Sequence, residues 1–453
     1  MSLSRRGFLA SGAAGSAVYL TGCTDAPPEE STTPEPTCEL PPVTEPPPLD
    51  YPAESFFKAV STNLTTAGQG TPVLIVDMDR LDANIDTISA ALAAPLSYRI
   101  VEKSLPSLDL LSYVSARAKT NKFMVLHLPF LSNLLSALPN AEVLVGKCHL
   151  TPAVQSFFQS LPVGADLSAE AARVTFLVDS TEAVSELQKL AQALNITLRI
   201  AVEIDVGLRR SGVPSPEVIG SVLSAIKDGT ALTFAGLMGY DGHVAYTPGG
   251  TVDAVNQAGA DATALYKTFR DTLQKYFPAL ANLPNLIFNS GGSSTFPLYK
   301  SDSPVNDVAA GGGVLRPAGY PDHLISALKP AIFIAAPVLR QYTKPQLPFF
   351  TEAQSADLMK DQQGIAVQGG SWPYYFSYPS DVRPAPFVND ATDHNHVPNQ
   401  TLLTAPASTP IKRGDWIFFH PRQSDVIFQF QEVLQVRGGQ LTNDVFAAYP
   451  RRF

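Results

Sequence analysis

The sequence is poor in basic charge, cysteine and nucleotide-binding glycine runs, and each shortage removes a class of function. Lys and Arg number 32 against 41 Asp and Glu, for a net charge of -9. There is no positive field to neutralise phosphates, which excludes a nucleic-acid partner. Three cysteines, Cys23, Cys38 and Cys148, cannot build a disulfide framework and do not have zinc spacing. A single Cys38–Cys148 bridge is the pairing that an oxidising compartment would permit. No Gly-x-Gly-x-x-Gly run opens the first helix, which argues against a dinucleotide fold. What the chain does have is length and ordinary apolar content. With 453 residues and 45% apolar composition it exceeds a single core and calls for a large domain plus a smaller one.

The first fifty residues read as an address and a spacer. Arg5 and Arg6 precede Gly7-Phe8-Leu9 and an Ala/Gly-rich stretch too short and weakly apolar for a spanning helix. The paired arginines resemble a twin-arginine export signal, and Leu20-Thr21-Gly22-Cys23 resembles a lipobox. Ordinary signal cleavage beside an incidental cysteine is the alternative. Residues 1–23 are therefore expected to direct export through the twin-arginine machinery. The protein would then sit in the periplasm or on the outer face of a bacterial membrane, with a lipid anchor at Cys23 as its membrane contact. Residues 24–50, rich in Pro, Glu and Thr, cannot repay ordering by burying apolar surface and form a disordered tether.

Beyond residue 50, short β-rich runs alternate with helical patterns. Strands are expected at 72–76, 96–101, 123–126, 143–145, 174–178, 198–204, 234–237 and 286–288. Eight is the count of a closed parallel (β/α)8 barrel of the TIM type, here given residues 51–305. A doubly wound open sheet has the same local pattern and is the main competitor. Segments such as LDANIDTISAALAA space apolar residues as surface helices do. Asp79 or Asp82 is expected to favour the first helix start, and Ser180 to cap a later one. From about residue 307 the runs VLRPAGY, AIFIAAPVLRQYT and DWIFFHP lack intervening amphipathic helices. Residues 306–453 therefore read as a mostly antiparallel β domain, with a turn at Gly438-Gly439.

Chemistry-bearing residues gather at strand ends. Lys103 follows the apolar strand SYRIV at its carboxyl end, where a lysine amine is activated by desolvation or neighbouring charge. In AVEIDVGLRRSGV, Glu203 and Asp205 alternate with apolar residues and are followed by Arg209 and Arg210, as a catalytic or a structural ion network would require. Tyr240 and His243 follow another strand, suited to acid–base work or to packing on a ring. The run Ser290, Gly291, Gly292, Ser293, Ser294, Thr295 allows close backbone approach and offers hydroxyls, as a phosphate-binding turn must.

Together these segments resemble the fold-type III pyridoxal-phosphate enzymes related to alanine racemase, especially the D-threonine aldolase and D-serine dehydratase branch. TPVLIVDMDRLDANI is similar to that branch's first strand and helix, and VEIDVGLRRSGV is the most specific match. The resemblance spans about residues 70 to 450. It implies pyridoxal 5'-phosphate as cofactor and Lys103 as the Schiff-base lysine, with Arg99 four residues ahead. It further implies Arg210 near the cofactor's phenolic oxygen, Tyr240 and His243 lining the pocket, and residues 290–295 holding phosphate. A small D-amino acid is the implied substrate, with Lys103 and Tyr240 as catalytic groups, and a homodimer is the implied assembly.

The departures bear on the reaction. The branch's divalent-metal motif corresponds here to HPRQSD, where Asp425 fits the second ligand but Gln423 stands at the usual histidine. His420, or His394 and His396, would offer other ligands. The family's histidine before the lysine is replaced around Val101. A lyase acting on β-hydroxy D-amino acids, as aldolase or ammonia-lyase, is expected. An amino-acid racemase, and a non-catalytic periplasmic binding module retaining the fold, stand as alternatives.

Overall fold

The computed structural model describes residues 49–347, 350–370, 372–385 and 399–449. The signal with Arg5, Arg6 and Cys23, nearly all of the tether with Cys38, and His394 and His396 lie outside the described residues. No helix among the described residues is long and apolar enough to cross a membrane.

After a helix at Glu54–Thr66, strand β1 (Val73–Asp77) leads directly into a helix at Met78–Ala91. Eight strands then close a barrel: β2 (Ser97–Val101), β3 (Lys122–Val125), β4 (Glu142–Cys148), β5 (Val174–Val178), β6 (Leu198–Glu203), β7 (Leu232–Gly239), β8 (Ile287–Ser290) and β9 (Asp307–Ala310). Every neighbouring pair is parallel, and β2 pairs with β9 to complete the closure. Asp77 caps the helix Met78–Ala91 by accepting from the Asp79 and Arg80 amides, while Asp79 sits in its first turn. Ser180 accepts from the Ala183 amide at the start of Thr181–Leu194, as its position suggested.

Two assignments change. The run 72–76 is a strand, but β1 pairs with the other sheet rather than with the barrel. The barrel is closed instead by β9, so it reaches past residue 305. The short DVAA segment is half alanine, which gives little local β preference and hides it among glycines. VLRPAGY is likewise no strand. Its first residue, Val314, ends a 3-10 turn at Gly312–Val314, and Arg316 follows, buried at φ +47°.

The second sheet comprises β1, β10 (Ile332–Tyr342), β11 (Gln362–Gln368), β12 (Tyr374–Tyr378), β13 (Arg383–Pro384), β14 (Gln400–Pro406), β15 (Trp416–Pro421), β16 (Glu432–Arg437) and β17 (Gln440–Ala447). All its pairings are antiparallel except β1 with β16. The helix Glu54–Thr66 covers one face with Phe57, Val60 and Leu64, packed with Ile75, Phe333 and Phe418. This burial ties the chain before β1 to the strands that follow the barrel.

Inside the barrel, the fully buried Arg99 meets Asp307 bidentately, with Nε–Oδ1 at 2.7 Å and Nη2–Oδ2 at 2.9 Å. Glu142 accepts from Nη2 at 2.8 Å, and Asn289, Ser97 and Lys122 also donate to Asp307. Burial alone would raise the Asp307 carboxyl, but Arg99 holds it below the ordinary aspartate range. A buried arginine left without its main partner is costly. Asp307→Ala is expected to destabilise by about 3–5 kcal/mol in chemical denaturation, whereas Arg99→Met with Asp307→Leu should lose far less.

Candidate active site

The carboxyl ends of the barrel strands open into a cavity of about 270 Å³. Three sequence-distant features share its wall. Lys103 comes from the 3-10 turn Glu102–Ser104 after β2, Arg210 from the loop after β6, and the backbone of 291–295 from the turn after β8. Tyr240, one residue past β7, lies between the last two. The Arg210 guanidinium carbon is 5.2 Å from its ring centroid. Among the described residues, no Asp or Glu lines this cavity.

The turn after β8 is built for close approach. Gly291 has φ +85°, and a Cβ there would stand 2.7 Å from Val308 Cγ1. Gly292 N–H donates to Thr295 Oγ1 at 3.0 Å, and that hydroxyl donates to the buried Asp241 at 2.9 Å. Tyr299 donates to the other Asp241 oxygen at 2.7 Å. Burial pushes the Asp241 carboxyl up, against the bonds from Tyr299 and Thr295 that favour its charge. Ser293 Oγ accepts from the Gly311 and Gly313 amides, tying the turn to the segment after β9. The Ser293 and Ser294 amides find no acceptor among the described residues, and both residues line the cavity. Two unpaired N–H groups on a glycine turn suit an anionic oxygen such as that of a phosphate ester.

Not every expected residue reaches the cavity. Ser290 is buried behind the turn, donating to Gly239 O at 2.6 Å and sharing a 2.7 Å bond with Tyr299. His243 packs on Gly207 (φ +117°), where a Cβ would sit 2.9 Å from Nε2, and so supports the loop that carries Arg210. Glu203 accepts from Ser211 at 2.5 Å and from the Cys148 thiol at 3.3 Å. Cys148, Asp179 and Glu203 form the one group with metal-like spacing among the described residues. Asp205 caps its own loop through the Gly207 and Arg209 amides.

The expected metal pair does not assemble. Gln423 lines the cavity, but Asp425 is exposed and lies outside its wall. His420 faces the opposite way. It is fully buried, with Nε2 2.9 Å from Arg316 O and Nδ1 3.1 Å from the Tyr51 hydroxyl. Its alternation with Phe419 and Pro421 on β15 sends it into the sheet core, which a sequence reading of HPRQSD does not reveal. A glutamine beside a distant carboxylate is a poor divalent-metal set.

Sequence reading also missed contributors. Tyr320, Ser104 and Gly311 join the wall, and Asp241 braces it from behind. Burial pushes the Tyr320 hydroxyl up to about 12. The Tyr240 hydroxyl is raised too, by burial first and then by the charge of Asp241. Both phenols therefore keep their protons at neutral pH.

The profile for "Alanine racemase, N-terminal domain" matches residues 76–314. No curated protein matches the sequence closely enough to count as a relative. Solved structures share the fold at low identity. D-threonine aldolase from Filomicrobium marinum superposes with a TM-score of 0.63 at 17% identity, covering 83% of this chain and 96% of the other. D-threo-3-hydroxyaspartate dehydratase from Delftia sp. HT23 gives 0.62 at 16%, covering 84% and 99%. Alanine racemase from Bacillus anthracis gives 0.60 at 13%, covering 83% and 98%.

His420 supplies a pH test of the described packing. Burial lowers its pKa from the usual 6.5 to about 3, so the folded protein keeps the ring neutral where the unfolded chain protonates it. Stability from this group is complete above the usual histidine range and declines as pH falls towards about 3. Between pH 6 and 4 the wild type should lose stability more steeply than His420→Gln, by about 1.4 kcal/mol per pH unit in urea titrations. Parallel curves would contradict the assignment.

Proposed function

Because the chain belongs to the alanine racemase N-terminal domain family, we propose that it is a pyridoxal-phosphate-dependent lyase that dehydrates β-hydroxy D-amino acids. The observation that carries this reading is the convergence of Lys103, Arg210 and the 291–295 turn on one cavity. The residues fit the cofactor: an accessible lysine amine, an arginine beside an aromatic ring, and two unpaired amides on a glycine turn. When bound, pyridoxal phosphate draws electrons from bonds at the substrate's Cα. The turn would hold its phosphate, Lys103 would anchor it, and Arg210 would fix the charge state of its ring.

The reaction type follows from which residues take protons and which give them. Lys103 is the base at the cavity, and its Nζ would receive the Cα proton. Among the described residues no carboxylate or histidine joins Lys103 on the cavity wall as a second base, which favours the lyase reading over a racemase, and Tyr240 and Tyr320 keep their protons. As donors they would assist the β-hydroxyl to depart as water. Gln423 is neutral and would not deprotonate that hydroxyl, as aldol cleavage requires. Gln423, Asp425 and His420 do not form a divalent-metal site, since Asp425 and His420 do not reach the cavity. Export is part of the proposal and rests on Arg5, Arg6 and the Leu-Thr-Gly-Cys sequence ending at Cys23.

The test is product analysis with D-serine and D-threonine, using protein reconstituted with the cofactor. The expected products are a 2-keto acid and ammonia. Lys103→Ala should lower the rate by about 10²–10⁴-fold, and a chelator should leave the wild-type rate unchanged. Enantiomer exchange without ammonia would favour the racemase, and glycine with an aldehyde would favour the aldolase.

A further inference from the structure

Glu102 stands behind the cavity wall without a partner. It is 0% exposed, and neither carboxyl oxygen has a hydrogen-bond partner among the described residues. It also opens the 3-10 turn Glu102–Ser104 that carries Lys103. Val101, Lys103 and Ser104 line the cavity, whereas Glu102 does not. A carboxyl in such a place is costly unless donors meet it or it stays neutral.

Its surroundings are aromatic and clamped. Leu105 N–H donates to Glu102 O at 2.8 Å, and Tyr449 N–H donates to Pro106 O at 2.9 Å, which pins the turn to the C-terminal segment. The Tyr449 ring stacks on Phe130 with centroids 4.6 Å apart, and its hydroxyl is likewise unpartnered. The charged groups on the neighbouring elements are engaged elsewhere. Lys122 of β3 donates to Ser97 and Asp307, Asp109 accepts from Ala447 N–H, and Arg117 pairs with Asp82 and Asp86. His127, after β3, meets Phe130 edge-on, and Asp425 is exposed. Burial therefore pushes the Glu102 carboxyl up to about 8, and the Tyr449 phenol is raised by burial first and then by the charge of Glu102.

An ionised Glu102 finds no donor in this packing, so the turn must move for water to reach it. Lys103 is the next residue, and it moves with the turn. We propose that Glu102 is a positioning residue for Lys103: protonated, it lets the turn sit closed with the amine in the cavity, and ionised, it releases the turn. This rests on the reading of Lys103 as the cofactor's anchor. Because burial raises the folded-state pKa, the closed turn is fully favoured below the ordinary glutamate value of 4.5 and loses that advantage as pH rises towards about 8. Glutamine keeps the shape without the charge, so Glu102→Gln removes the dependence.

Amide hydrogen exchange of the wild type against Glu102→Gln, at matched pH, tests the release. The ratio of exchange rates, wild type over variant, should rise about tenfold per pH unit between about pH 5.5 and 7.5 in peptides holding Leu105 and Tyr449. In the helix Thr181–Leu194 it should stay constant. Fluorescence titration with pyridoxal phosphate should give equal affinities at about pH 5.5 and at least about tenfold tighter binding by the variant at about pH 8. Glu102→Leu should match Glu102→Gln, which separates the charge from a lost polar contact. A ratio that is flat with pH, or equal affinities at the higher pH, would overturn the proposal. A cofactor adduct on Lys103 with a flat ratio leaves the cofactor reading standing and overturns this inference. A rising ratio with no cofactor bound at any pH supports the released turn and removes the cofactor reading.

Discussion

The buried charge of Arg99 is the constraint around which the barrel is arranged. Removing a guanidinium from water is affordable only if its donors are met, and five acceptor contacts from Asp307, Glu142 and Phe123 do so. Two of them join the first and last barrel strands. Because β2 and β9 run parallel, that junction also fixes what lies at their far ends. Four residues beyond Arg99 is Lys103, and four beyond Asp307 is Gly311, and both line the cavity. A structural ion pair at the closed end thus sets the spacing of the groups at the open end.

A second buried acid plays the corresponding part nearer the site. Asp241 follows β7 and receives the hydroxyls of Thr295 and Tyr299, so it braces the turn after β8 from behind. The Thr295 and Ser293 side chains are engaged by Asp241 and by the Gly311 and Gly313 amides, while the Ser293 and Ser294 amides find no acceptor among the described residues. Neither Asp241 nor Arg99 touches the cavity, yet between them they hold its two sides. This division leaves the wall free of acids among the described residues, which suits an anionic cofactor.

Much of this was legible before any coordinates. Seven of the eight expected strands fall in the barrel, because Val, Ile and Leu runs between amphipathic helices carry a strong local signal. Lys103, Arg210, Tyr240 and 291–295 stood out because each follows a strand end, and the fold gathers strand ends. What failed depended on partners distant in sequence. β1 has the composition of a barrel strand, and only its pairing with β10 and β16 places it in the other sheet. His420 and Asp425 are five residues apart, but His420 points from β15 into the sheet core, whereas Asp425 lies exposed on the 3-10 turn Ser424–Gln429 that follows the strand. Tyr320 and Asp241 carry no motif, and their place follows from the packing of segments far apart along the chain.

The central claim is that Lys103 and the 291–295 turn hold one cofactor between them. Borohydride reduction of the protein, followed by peptide mapping, tests it most directly. The account predicts loss of the visible absorbance band and a phosphopyridoxyl group on Lys103 alone, with binding weakened by Asp241→Ala. No adduct after reconstitution, or an adduct on a lysine outside the cavity, would contradict it.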